Sequence, residues 1–235
     1  MRFEDASFWF PHRNKIILAA IKRYPPADGP IFDLGAGNGY VALALEQAGW
    51  PTIAIEPSAA GAANAASRGV AHVVCGGLPS VAFAARTAGA IGLFDVLEHI
   101  ETDRAFLVSL RPYLKDRGRL YLTVPAYQWL WSSSDVHGGH FRRYTRSALR
   151  HTLEAAGFHV EFTSYFFSWL PLPVLVFRSW RSGHSATRAS RQHGAGGSAL
   201  RHIAERSLAF EIDRVARGAP MAFGGSCLAV ATCDA

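Results

Sequence analysis

The chain has 235 residues, 49% hydrophobic, 12% aromatic and only 18% charged, which excludes a disordered or low-complexity protein. That length suits one α/β domain over residues 1–235, with room for an appended lid but not for a second full domain. Lys plus Arg at 24 against Asp plus Glu at 18 leaves a net charge of +6, mostly arginine, since Lys15, Lys22 and Lys115 are the only lysines. The arginines are mixed with Trp, Phe and Pro rather than grouped in dense runs. This pattern argues against nucleic acid and leaves a membrane surface, a small anionic ligand or a solvated face. Cys75, Cys227 and Cys233 have neither the even count of a disulfide framework nor metal-ligand spacing, so no metal site is expected and a reducing cytoplasm is. Glu4 and Asp5 stand where an export signal would carry its apolar run, so none is expected.

Strands and helices alternate along the chain, punctuated by glycine. Ile16, Ile17, Ala20, Ile21 and Tyr24 recur at helical spacing, giving a helical cap over 1–25 that Pro25 and Pro26 end. Ile31 to Leu34 reads as a buried strand, followed by a glycine-rich turn and a helix from Tyr40 to Ala48 stopped by Gly49. Thr52 to Ile55 is a second strand ending at Glu56; Pro57 and Ser58 then open a helix that closes at Gly69. Val70 to Val74 is a third strand, Leu78 to Gly89 has no clear pattern, and Ala90 to Phe94 is a fourth strand. Thr102 caps a helix whose end is placed just before Gly118, and Arg119 to Val124 alternates as a strand up to Pro125. After a Trp/Ser/His-rich loop, Thr145 caps a helix with Leu149 and Leu153 inward and Gly157 beyond it. Phe158 to Ser164, a helix from Leu200 to Arg217 and a strand from Cys227 to Ala231 complete the pattern. Such alternation implies βαβ units, hence a doubly wound parallel sheet with helices on both faces.

The most informative segment is Asp33-Leu34-Gly35-Ala36-Gly37-Asn38-Gly39. A strand running through glycines into a helix lets a ligand meet bare backbone and the free N–H groups of a helix start. Glu56, ending the next strand, suits the two hydroxyls of an adenosine ribose. Dinucleotide sites favour G-x-G-x-x-G, whereas the spacing here is G-x-G-x-G with an acid just before it. Asp33 would repel a pyrophosphate but suits the cationic amino-acid end of S-adenosylmethionine, which favours a methyl donor over NAD.

Four segments then carry a resemblance: Ile31 to Tyr40, Ile55-Glu56-Pro57-Ser58, Phe94-Asp95-Val96-Leu97-Glu98-His99-Ile100 and Leu153-Glu154-Ala155-Ala156-Gly157-Phe158. In this order they resemble a class I S-adenosylmethionine-dependent methyltransferase, of the broad group that includes the ubiquinone-biosynthesis methyltransferases. The resemblance implies a Rossmann-like seven-stranded sheet whose last strand is antiparallel. It also implies S-adenosyl-L-methionine as cofactor and S-adenosylhomocysteine as product. Carried over, Gly35, Ala36, Gly37 and Gly39 line the methionine moiety, Asp33 reaches its ammonium, and Glu56 with Pro57 meets the ribose. Phe94 and Asp95 border the donor. Where many members have an acid at the adenine amine, this chain has Cys75-Gly76-Gly77-Leu78, so backbone contacts from Gly77 and Leu78 are implied instead. Arg13, in an aromatic-rich start, either pairs with the methionine carboxylate or is a solvated helix residue.

Methyl transfer depends mainly on placement, and a base is needed only where the acceptor must lose a proton, as in O-methylation. Glu98 and His99 follow the fourth strand on the carboxyl edge where open α/β sheets bind ligands. His137 and His140 lie in the loop before Thr145, whose Gly-His-x-Arg-Arg-Tyr-Thr part resembles an acceptor-side loop of these enzymes. His99 or His140, assisted by Glu98, is the expected catalytic base. Arg142, Arg143 and Arg146 either form a positive rim for an anionic acceptor or tie their loop down. The segment 165–222 is read as a lid insertion, apolar at first and glycine- and arginine-rich over 181–197. Its apolar part, 165–181, either roofs the pocket of a small or lipid-like acceptor, buries in a homodimer, or touches a membrane interface at the inner face. An NAD-dependent oxidoreductase and a non-catalytic membrane-associated module remain the alternatives.

Overall fold

The computed structural model describes residues 9–78, 83–168 and 197–233, with side chains described for all of these but 197–205. In chain order the elements are α1 (Trp9–Arg23), β1 (Ile31–Leu34), α2 (Tyr40–Gln47), β2 (Thr52–Glu56), α3 (Ala59–Arg68), β3 (Val73–Cys75) and β4 (Ala88–Phe94). There follow α4 (Asp103–Leu110), β5 (Leu114–Pro125), the short α5 (Ser133–Gly138), α6 (Arg146–Ala155), β6 (His159–Phe166), α7 (Gly197–Ala216) and β7 (Ser226–Thr232).

The seven strands form one sheet in the order β3-β2-β1-β4-β5-β7-β6. The first five run parallel, and β7 lies between β5 and β6, antiparallel to both, the antiparallel last strand that the resemblance implies. Period-two alternation assigns the two faces. Phe32, Leu34, Leu120, Leu122, Ala229 and Ala231 point to a core closed by α4 and α6, through Leu107, Leu110, Leu149 and Leu153. Ile31, Tyr121, Leu228 and Val230 point the other way, onto Ile16, Ile17 and Ile21 of α1, Val41 and Leu45 of α2 and Val215 of α7. Burying a large aliphatic side chain contributes about 1.5–3 kcal/mol, so these two cores carry the fold.

Helix boundaries follow local chemistry. Ser58 and Thr145 cap α3 and α6 by accepting from the Gly61 and Ala148 N–H groups, at 3.3 and 3.1 Å. Gly118 does not lie past a helix end: α4 stops at Leu110, Pro112 sits in a 3₁₀ turn over Arg111–Tyr113, and Gly118 falls inside β5. β3 begins at Val73 rather than Val70, because Val70 packs on Ala42, Ala54 and Ala65 in a small satellite core. The loop before Thr145 contains α5.

One clasp joins the ends of the molecule. The buried Glu211 carboxylate of α7 accepts from the Phe167 and Ser168 N–H groups at 2.8 and 2.7 Å, and from Ser168 Oγ at 2.6 Å. It also lies 2.9 Å from His12 Nε2 of α1. Trp9 stacks on Phe167 at 3.9 Å. The 169–180 part of the apolar run and the stretch 181–196 lie outside the described residues.

Candidate functional site: a donor cavity and an acceptor-side cluster

β1 and β4 are neighbours, but their helical connections run to opposite sides, so a crevice opens at their carboxyl ends. A cavity of about 220 Å³ lies there, lined by Phe10, Arg13, Asp33, Gly35, Ala36, Gly37, Asn38, Tyr40, Val41, Phe94 and Asp95. The chain folds into this shape because three glycines of the loop have positive φ, 68° at Gly35, 54° at Gly37 and 72° at Gly39. Their roles differ. Nothing lies within 4 Å of where a Gly37 Cβ would stand, so the bare backbone faces open space. A Cβ on Gly39 would meet Ala65 Cβ and Val70 Cγ2 at 2.8 Å, so that glycine lets α2 approach α3 and does not line the cavity.

Two buried polar atoms of the cavity residues have no hydrogen-bond partner, Asp33 Oδ2 and Arg13 Nε. Asp33 is 2% exposed, and burial pushes its carboxyl up to about 7 against the downward pull of Arg13 and the Ala42 N–H. Arg13 donates through Nη1 to Asp95 Oδ2. Thr123 Oγ1 donates to Asp95 Oδ1 at 2.9 Å, and Asp95 holds a positive φ of 59°. The Arg13 guanidinium thus stands with two acidic neighbours, Asp33 and Asp95. Phe10, Asn38 and Tyr40 also line the cavity, and sequence reading missed them; the aromatic-rich run at the start was the available signal for Phe10.

Glu56 sits where expected, at the end of β2, and already clasps the loop: Oε2 accepts from Gly37 N and Oε1 from Ser58 N, both at 2.8 Å. Pro57 is exposed beside it. Gly77 and Leu78 are not among the cavity residues; Leu78 is buried and its carbonyl accepts from Tyr113 OH at 3.4 Å.

Beyond β4, a 3₁₀ turn over Leu97–His99 carries the second group of residues. Glu98 is 1% exposed and its Oε2 has no partner. Burial, with Asp95 adding repulsion, pushes its carboxyl up to about 9. His99 meets His140 edge to face at 4.6 Å between ring centroids. Partial burial and then the charge of the neighbouring His140 hold His99 below the usual imidazole range. One ligand-type atom from each of Glu98, His99 and His140 lies within 4.8 Å of the others.

His140 is held by a residue that sequence reading passed over as part of a loop. Its Nδ1 lies 2.9 Å from Oδ1 of the buried Asp135. Arg143 grips the same carboxylate through Nε at 2.8 Å and Nη2 at 2.9 Å, and the Ser132 N–H adds a 2.7 Å bond. Against the upward push of burial, Arg143, Ser132 and His140 hold Asp135 well below the usual carboxylate range. Ser132 and Asp135 form a capping box at the start of α5, a spacing legible in the sequence. His137 stands apart, its Nδ1 2.6 Å from the Ser133 carbonyl within α5.

The three arginines tie the loop down and do not form a free rim. Arg143 is spent on Asp135, and Arg142 on Asp103 at 2.9 Å and the Glu101 carbonyl at 2.6 Å. Arg146 donates to the Met221 carbonyl at 3.1 Å and packs over the Tyr165 ring. Past the end of β5, Tyr127 stacks on Trp129 and Tyr165 at 5.2 and 4.9 Å, an aromatic wall whose Trp129 is exposed.

The model of a family described as a methyltransferase domain matches residues 9–161, and the chain belongs to that family. No curated protein matches the sequence. An S-adenosylmethionine-dependent methyltransferase from Archaeoglobus fulgidus is similar in structure, with a TM-score of 0.58, 17% identity, and coverage of 96% of this chain and 100% of that one. The geranyl diphosphate C-methyltransferase of Streptomyces coelicolor A3(2) gives 0.59 at 14% identity, over 92% of this chain and 76% of that one. The [4+2]-cyclase SpnF gives 0.60 at 17% identity over 94% and 81%, so the fold also serves other chemistry. Family and fold together make this chain a class I S-adenosylmethionine-dependent methyltransferase, which sets aside the nicotinamide alternative. No helix among the described residues is long and apolar enough to cross a membrane.

Proposed function

We propose that the protein methylates a hydroxyl of a small or lipid-like acceptor, with the donor held in the β1/β4 cavity. The observation that carries the donor side is the pair of orphaned atoms, an acceptor on Asp33 and a donor on Arg13. Together they complement an α-amino-acid zwitterion, and leaving them unpaired in the buried state costs about 1–3 kcal/mol each. The donor, when bound, supplies a methyl group already activated on a sulfonium.

Everything else falls to the protein as placement. Asp33 accepts from the ammonium and Arg13 Nε donates to the carboxylate. The open side of Gly37, with Gly35 and Ala36, admits the chain between them. Glu56 keeps one lone pair on each oxygen for the ribose hydroxyls, and Phe94 and Asp95 border the reacting end. Gly77 and Leu78 serve the adenine side through backbone. Glu98, His99 and His140 activate the acceptor's hydroxyl, and the aromatic wall around Tyr127 supports its apolar part.

Calorimetric titration with S-adenosylhomocysteine, 5′-methylthioadenosine and NADH tests this reading. Expected is tight binding of the first, weaker binding of the second, which lacks the amino-acid end, and none of NADH. Equal affinity for the first two would remove the zwitterion argument.

A further inference from the structure

Glu98, His99 and His140 combine two features that differ from a purely proton-shuttling cluster. The first is their donor set, one carboxylate and two imidazoles whose ligand-type atoms lie within 4.8 Å of one another. The second is independent: Glu98 is 1% exposed and its Oε2 has no protein partner, an uncompensated acceptor turned into the protein beside a second acid, Asp95. Buried carboxylates are ordinarily paired or bound to metal. Arg13 and Arg143, the cations nearest in the charge balance, are already committed to Asp95 and Asp135.

The surroundings complete the arrangement. His140 has Nδ1 on Asp135, which leaves Nε2 as its free ring nitrogen, and Asp135 is itself fixed by Arg143 and Ser132. A carboxylate behind an imidazole, as Asp135 stands behind His140, is the arrangement that sets the tautomer of a metal-ligating histidine.

We propose that Glu98, His99 and His140 bind one divalent first-row transition cation, whose open positions take an oxygen of the acceptor. Two imidazoles select zinc, manganese, iron or cobalt over magnesium and calcium, which prefer all-oxygen sites. Bonds of about 2.1 Å would draw the three ligand atoms to roughly 3 Å apart. Three protein ligands leave room for substrate, and a hydroxyl bound to such an ion loses its proton to water near neutral pH. The part concerning the acceptor rests on the methyltransfer reading. Binding of the cation does not, and it replaces direct proton removal by histidine with activation through the ion.

The test uses the full chain, stripped with chelator and dialysed, titrated with Co²⁺ and followed by visible absorption and by metal content. The expected result is one Co²⁺ per chain with a d–d spectrum, no comparable uptake of Mg²⁺, and at least a 10–100-fold loss of affinity in His99→Ala and in His140→Ala. Asp135→Asn should weaken binding in that range without abolishing it. Glu98→Gln, isosteric with the protonated acid, keeps the fold while removing a ligand, and should also weaken Co²⁺ binding. Circular dichroism of each variant confirms folding. Failure to take up stoichiometric Co²⁺, or equal affinity in folded Glu98→Gln and His140→Ala, overturns the site. The Co²⁺ result decides this whichever way the S-adenosylhomocysteine titration falls, because the donor cavity uses neither histidine.

Discussion

The donor cavity and the loop around Asp135 both bury charge, yet they treat it in opposite ways. In the loop, every lone pair of consequence on Asp135 is answered, by Arg143, Ser132 and His140. In the cavity, Asp33 and Arg13 each keep an atom with no partner. The contrast teaches where a ligand belongs: satisfied buried charge holds the scaffold in shape, and unsatisfied buried charge waits for a molecule that the fold does not supply.

Breaking the satisfied side should give the larger stability effect. Arg143→Ala strips the buried Asp135 of its main cation and should cost about 3–5 kcal/mol in urea unfolding, with the loop carrying His140 loosened. A cost under about 1 kcal/mol would mean that this ion pair is not the anchor it is taken for.

The unsatisfied side should behave in reverse. Asp33→Asn should weaken S-adenosylhomocysteine binding about tenfold or more, since a hydrogen bond to a charged group contributes about 1.5–3 kcal/mol. It should also stabilise the ligand-free protein. With its folded-state value near 7 and the ordinary value at 3.8, Asp33 keeps a proton that the unfolded chain has lost between those two pH values. Wild-type stability therefore carries a loss that grows from pH 4 to pH 7 and is constant above, and the Asn variant escapes it. Donor affinity should accordingly fall in wild type as pH drops below about 7, up to tenfold per unit, and be flat in Asp33→Asn over the same range.

The smallest effect sharpens the comparison from outside. Arg150→Ala removes an exposed i,i+4 pair with Glu154 and should change stability by no more than about 0.5 kcal/mol. A larger loss there would show that exposed charge matters here as much as buried charge.

What the sequence made legible is local. The glycine turn, Asp33 before it and Glu56 at the next strand end sit at fixed offsets from strand termini, so their meeting in one crevice follows from topology. Ser58, Gly69, Thr145 and Gly157 mark helix ends for the same reason. Gly118 misled because a glycine after an amphipathic stretch resembles a stop, although Pro112 had already ended the helix. The commitments of Arg142, Arg143 and Arg146 were open in the sequence, since a guanidinium facing solvent and one turned onto a buried acid are written alike. The contact of His12 with Glu211 spans 199 residues and has no local signature.

That contact bears on how such a chain can diversify. Glu211 seizes the backbone at Phe167 and Ser168, the point where the chain leaves β6, while its own helix brings the chain back. With departure and return fastened by one carboxylate, the length of what lies between them is nearly free: doubling a flexible loop adds only about 0.6 kcal/mol of closure entropy. The clasp works as a socket in which evolution can exchange one connecting segment for another, leaving the sheet and the donor crevice as they are.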